Sequence, residues 1–194
     1  MTERTRAVII DDRDRRVQYT GDWIAANGDA YNNRGRHGPV YGNTLQGSNT
    51  NGAKLTFTFT GTRAQIRGTT DPEFEDGSTD PDPNWDCVLD GRVTPAAKGP
   101  SLRPGEDSIN RWPFCNFSDL IPGQHTVELI VRTKGRTFWF DDIQYTPTDV
   151  VSGETIDARQ DDQDLTYSSG WESYRGLAFI TRTRGSTVTF PFSA

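Results

Sequence analysis

The chain has 194 residues and a net charge of −6, enough length for one full domain and part of a second. The acidic balance excludes nucleic acid and anionic membrane surfaces as partners, because phosphate binding needs a surplus of Lys and Arg on one face. Only 32% of residues are hydrophobic, yet there are five Trp and ten Phe, so burial must come from aromatics, as in a β-sandwich with long polar loops.

The first element expected is the apolar run Ala7-Val8-Ile9-Ile10, followed after a polar turn by Val17-Gln18-Tyr19. Residues 24–51 carry no strand pattern and read as a long loop, longer than the connections usual in compact domains. Lys54 to Thr60 alternates Leu55, Phe57 and Phe59 with Thr, so one of its faces is buried. Gly61 ends that strand, and Arg63 to Arg67, with Ala64 and Ile66 inward, reads as its antiparallel neighbour. A second long loop covers 69–86. Asp86 to Leu89 then closes on the hairpin signal Asp90-Gly91. His125 to Val131 alternates after the turn Pro122-Gly123, and Arg136 to Tyr145 carries Phe138, Phe140, Ile143 and Tyr145. About eight strands before Pro147 imply two packed antiparallel sheets. No window holds the roughly 18 apolar residues of a spanning helix.

The chain also repeats itself. Ile10-Asp11, Tyr19-Thr20 and Trp23 are echoed by Ile156-Asp157, Tyr167-Ser168 and Trp171, and Gly52 to Phe59 by Gly185 to Phe192. The expected organisation is therefore an all-β, jelly-roll-like antiparallel sandwich over 1–147 and a partial β repeat over 148–194. Half a sandwich cannot bury both its sheets, so the repeat is expected to dock on the first domain or on another chain, a homodimer in the second case.

In the order Ile10-Asp11-Asp12, Tyr19-Thr20-Gly21-Asp22-Trp23, Tyr41-Gly42-Asn43-Thr44, Gly52-Ala53, Asp90-Gly91, Pro122-Gly123-Gln124-His125-Thr126 and Phe140-Asp141-Asp142-Ile143-Gln144-Tyr145, the chain resembles the galactose-binding-like jelly-roll modules of fungal secreted and cell-surface proteins. The resemblance covers about three quarters of the chain. It implies carbohydrate binding without catalysis, and a structural calcium where the first and last strands approach, on Asp11 or Asp12 with Asp141 or Asp142. No other cofactor is implied.

Sugar recognition needs an aromatic face and a few fixed polar groups. The first long loop supplies Tyr31, Asn32, Arg34, Arg36, His37 and Tyr41; Trp85 ends the second, and Arg111 with Trp112 lies near Cys115. Trp85 and Trp112 equally suit a cap on the core. The acids from Asp71 to Asp86 lack the spacing of an EF-hand and read as a solvated loop. Arg36, His37 and Tyr41 could also equip a jelly-roll lyase, and a structural or assembly module is the other alternative. Cys87 and Cys115 leave a single disulfide or two buried thiols. The opening Met1-Thr2-Glu3-Arg4 lacks the apolar core of a signal peptide, whereas the sequon Asn116-Phe117-Ser118 points to a secreted or cell-surface setting.

Overall fold

A computed structural model of the protein describes residues 6–32, 37–70, 82–96, 108–149, 151–175 and 178–191. The chain divides into a larger unit, Val8–Thr155, and a smaller one, Ile156–Ala194 with Met1–Ala7. Among the described residues no helix is long and apolar enough to cross a membrane.

The larger unit is built from β1 (Ala7–Asp11), β2 (Gln18–Thr20), β3 (Ile24–Asn27), a one-turn helix α1 (Asp29–Asn32), β4 (Thr44–Ser48), β5 (Lys54–Thr70), β6 (Asn84–Leu89), β7 (Arg92–Thr94), β8 (Ile109–Phe117), β9 (Gly123–Arg132) and β10 (Phe138–Pro147). In one layer β2 and β9 flank the first half of β5, and β6 and β7 continue beyond β9. In the other, β10 and β8 flank the second half of β5, with β1 and β4 side by side on the far edge of β10 and β3 outside β4. Each of these pairings is antiparallel. The layers meet through aromatics: Trp85 of β6 lies 4.5 Å from Phe114 of β8 and 5.8 Å from Phe138 of β10, and Phe57 of β5 lies 5.9 Å from Tyr145. This is the β-sandwich that the composition requires. Cys87 of β6 and Cys115 of β8 are bonded across it, with their Cα atoms 5.8 Å apart.

Two expectations are corrected. Lys54 to Arg67 is one strand and not two: β5 runs through Gly61, which pairs with Gly123 of β9 and with Pro147 of β10. A register shift lies there between Thr146 and Pro147, so the strand changes layers at a bulge. The supposed loop 24–51 contains β3 and β4. The turn Asp90-Gly91 is as expected, with both residues left-handed at φ 48° and 77°.

The smaller unit holds β11 (Thr155–Asp157), β12 (Thr166–Tyr167), β13 (Trp171–Tyr174), β14 (Ala178–Thr181) and β15 (Val188–Thr189). It copies several pairings and bonds of the opening of the larger unit. Tyr167 faces Val188 as Tyr19 faces Leu55. Tyr19 donates its hydroxyl to the Asp12 carbonyl at 2.7 Å and stands 5.1 Å from Trp23, while Tyr167 donates to the Gln160 carbonyl at 2.9 Å and stands 5.3 Å from Trp171. Gly52 and Gly185 share φ near +85°, at 87° and 85°. The Thr50 and Thr183 amides each donate to the hydroxyl two residues back, on Ser48 and Thr181. Two differences stand out. The matching turn and tyrosine bonds put Arg159 and Gln160 in the places of Asp11 and Asp12, which corrects the pairing of Asp11 with Asp157 expected from the sequence, and only residues 175–177 lie between β13 and β14 where 28–43 lie between β3 and β4.

Candidate functional site

The corner of the larger unit beneath 28–32 and 37–43 gathers most of the buried polar chemistry among the described residues. A register shift between Phe140 and Asp142 leaves Asp141 at a bulge, where its carboxylate accepts the Tyr41 N–H at 2.9 and 3.2 Å. Asp142 stands opposite Asp11 of β1 and is paired with Arg67 of β5 at 2.7 Å. Asp12 accepts the Thr44 hydroxyl. Gly42, at φ 59°, lies close over Asp11: a Cβ there would come within 2.9 Å of Asp11 Oδ1.

Asp12, Asp141 and Asp142 are buried. Burial and the charge of Asp142 push Asp141 up to about 8, against the pull of the Tyr41 N–H. Burial pushes Asp12 up to about 6 and raises Asp142, which Arg67 opposes. Three buried carboxylate oxygens have no hydrogen-bond partner, Asp11 Oδ1, Asp12 Oδ2 and Asp142 Oδ2; nor do Arg111 Nε, Trp112 Nε1 and Trp139 Nε1. The donors are of the class calcium takes. Among the described residues no group of three or more His, Cys, Asp or Glu side chains is gathered as a metal site. Within the protein, Arg67, the Tyr41 N–H and the Thr44 hydroxyl face these acids.

Asn110 fixes the overlying segment. Its side-chain N–H groups donate to the carbonyls of Tyr31 at 3.2 Å and Gly38 at 2.8 Å, and its oxygen accepts the Thr69 hydroxyl at 2.9 Å. The Tyr31 ring then lies 5.9 Å from Trp139, which packs flat on the bare backbone of Gly47. Asn32 accepts the Val40 N–H at 3.1 Å, so it holds the loop together. His37 is exposed, Tyr41 is half-buried, and Arg111 of β8 is left-handed at φ 54°.

Of the residues expected to bind a ligand, Tyr31, Asn32 and Tyr41 thus lie on this segment and Arg111 and Trp112 on the neighbouring β8. Arg34, Arg36 and the acids of 71–80 lie outside the described residues. Trp85 is a correction: it is 3% exposed, and its indole N–H is spent on the Phe114 carbonyl at 2.9 Å, so no ring face is left for a sugar. Arg67 and Trp139 belong to the site without having been singled out. Phe138-Trp139-Phe140 held the signal, because the middle of three consecutive strand residues must face away from the core that takes the other two.

No family model matches the chain, and no curated protein matches it. Among solved structures it is similar to a family two carbohydrate esterase from Cellvibrio japonicus, at 16% identity and TM-score 0.41 over 75% of this chain and 36% of that one. It is also similar to the Agl-KA catalytic domain, at 12% identity and TM-score 0.44 over 84% and 32%. A third likeness is to the catalytic domain of a GH87 alpha-1,3-glucanase in complex with nigerose, at 12% identity and TM-score 0.43 over 74% and 28%. The chain therefore spans about a third of the length of these proteins.

Proposed function

We propose that the corner beneath 28–32 and 37–43 binds a carbohydrate and that the chain is a non-catalytic glycan-binding module. The observation that carries this reading is the internal comparison. The smaller unit keeps the tyrosine bond, the Tyr–Trp contact, the left-handed glycine and the strand pairing, yet lacks both the acid pair and the long segment. Those two features are absent together from the copy, as parts of one site would be. The chemistry agrees. A sugar hydroxyl both donates and accepts, and the corner carries the half-buried Asp11 and Arg111, with the half-buried Tyr31–Trp139 pair as an aromatic wall.

A broad glycan array probed with the full chain should give a defined set of positives, followed by titration calorimetry on the best of them. Trp139→Ala and Arg111→Ala should each weaken binding about tenfold or more, the equivalent of about 1.4 kcal/mol. Trp171→Ala, in the copy without the site, should leave it unchanged. Silence across fungal, plant and animal glycans removes the reading and leaves an assembly module, which the exposed Val188 of β15 would then favour.

A further inference from the structure

Asn116-Phe117-Ser118 is the only Asn-X-Ser/Thr triplet in the chain. It closes β8, which among the described residues pairs with β5 and with no other strand. Strand alternation splits the triplet: Phe117 is buried in the sandwich, and Asn116 and Ser118 on either side of it are exposed. The Asn116 side chain makes one bond across the strands, in which its oxygen accepts from Gln65 Nε2. That bond uses the carbonyl end of the amide and leaves the nitrogen pointing the other way. A large substituent on this nitrogen would stand off the outer face and would displace nothing from the core.

An independent observation comes from the residue next door. Cys115 is bonded to Cys87, and structural disulfides form and persist in oxidising secretory compartments. Those are the compartments in which asparagine receives glycans. An exposed sequon on a folded strand and a disulfide beside it are separate features that require the same setting.

We infer that Asn116 is an acceptor for N-linked glycosylation, its co-substrate being an oligosaccharide carried on a polyprenyl diphosphate. In the transfer a bond forms between Asn116 Nδ2 and the anomeric carbon of the first sugar. The bond from that carbon to the diphosphate oxygen breaks, polyprenyl diphosphate leaves with the bonding pair, and the amide gives up one proton. No oxidation or reduction is involved. Ser118 is a positioning residue here, since its hydroxyl completes the acceptor triplet and takes no sugar.

The full chain, directed through a eukaryotic secretory pathway, is analysed by intact mass and peptide mapping. Wild-type protein should carry a mass increment on the peptide holding Asn116. Treatment with a peptide-N-glycosidase should remove the increment and leave Asp at that position. Asn116→Gln and Ser118→Ala should both be secreted without it, and Ser118→Thr, which keeps the hydroxyl, should retain it. Secretion of disulfide-bonded wild-type chain with an unmodified Asn116 overturns the inference, as does an increment that survives in Asn116→Gln. Should Asn116→Gln fail to fold, the Ser118→Ala and Ser118→Thr pair carries the test. The readout is mass and not ligand binding, so it stands or falls apart from the glycan-binding reading.

Discussion

Asp141 has no cross-strand partner at its bulge, one backbone N–H to hold it, and Asp142 beside it. Its pKa near 8 and that of Asp12 near 6 both exceed the value of about 4 expected in the unfolded chain. Between these limits the native protein binds more protons than the unfolded one, so stability falls as pH rises. The contribution is complete below about pH 4 and is lost as pH passes through 6 and then 8. The melting temperature should therefore drop from pH 5 to pH 8, at about 2–4 °C for each kcal/mol lost in a domain of this size. Asp141→Asn keeps an oxygen for the Tyr41 N–H and cannot ionise, so it should flatten most of that drop. The remainder belongs partly to His125, whose pKa is raised by its bonds to Asp90 and to the Ile121 carbonyl, and whose charged form is likewise favoured at low pH. An unchanged slope in Asp141→Asn would sink this account. A loss at alkaline pH that calcium restores and a chelator abolishes would assign the corner to a cation rather than to protons.

Elements were legible where a strand keeps one face to the core for its whole length, as β9 does, and illegible where it does not. The apolar positions of β5 are odd through Leu55, Phe57 and Phe59 and even at Ala64 and Ile66, which in a single sequence looks like two strands with Gly61 between them. The change of parity is the layer crossing itself. The bulge at Thr62 turns the inward side over as the strand leaves β9 for β10. β3 and β4 escaped notice for a different reason: Ile24 and Ala25 are exposed, and Leu45 is the one large apolar residue of β4, its burial shared with Thr44, Gly47 and Ser48, so no apolar alternation exists to be read. The acids of the candidate site were visible as Asp pairs, and Trp139 was hidden inside an aromatic run. Gly61 gives the test at this scale. A Cβ there would run into the Thr146 carbonyl and crowd Phe59 at 3.1 Å, whereas one at Gly52 would meet nothing. Gly61→Val should cost about 2 kcal/mol or more in urea unfolding, at the upper part of the overpacking range. Gly52→Ala at φ 87° should cost less, through backbone strain alone. Equal losses at the two sites would mean that the crossing tolerates a side chain.

At the scale of the whole molecule, stability is concentrated in one unit. Every buried apolar side chain among the described residues lies between Val8 and Tyr145, and none of the described residues from 156 to 191 is buried. The larger unit also owns the disulfide, whose partners are 28 residues apart; a loop of that size restrains the unfolded chain by about 3–4 kcal/mol in the chain-entropy description. The smaller unit repeats the opening strands and their hydrogen bonds but has no counterpart to β9 and β10, which in the larger unit cover Leu55, Phe57 and Phe59. Val188, the residue in Leu55's place, is 48% exposed while Leu55 is fully buried. Each such side chain left in water forfeits about 1.5–3 kcal/mol, more than a segment with two short strand pairs recovers from its own contacts. A chain ending at Thr155 should therefore unfold in one cooperative transition with the far-ultraviolet signal of a β protein. A peptide of residues 156–194 should show no cooperative transition by itself. The mass of the full chain in solution then decides what the segment engages, a dimer that becomes a monomer on truncation placing its partner in a second copy. Non-cooperative unfolding of the chain ending at Thr155 would show that the larger unit depends on the repeat, and that the concentration of buried apolar groups in one unit does not make it independent.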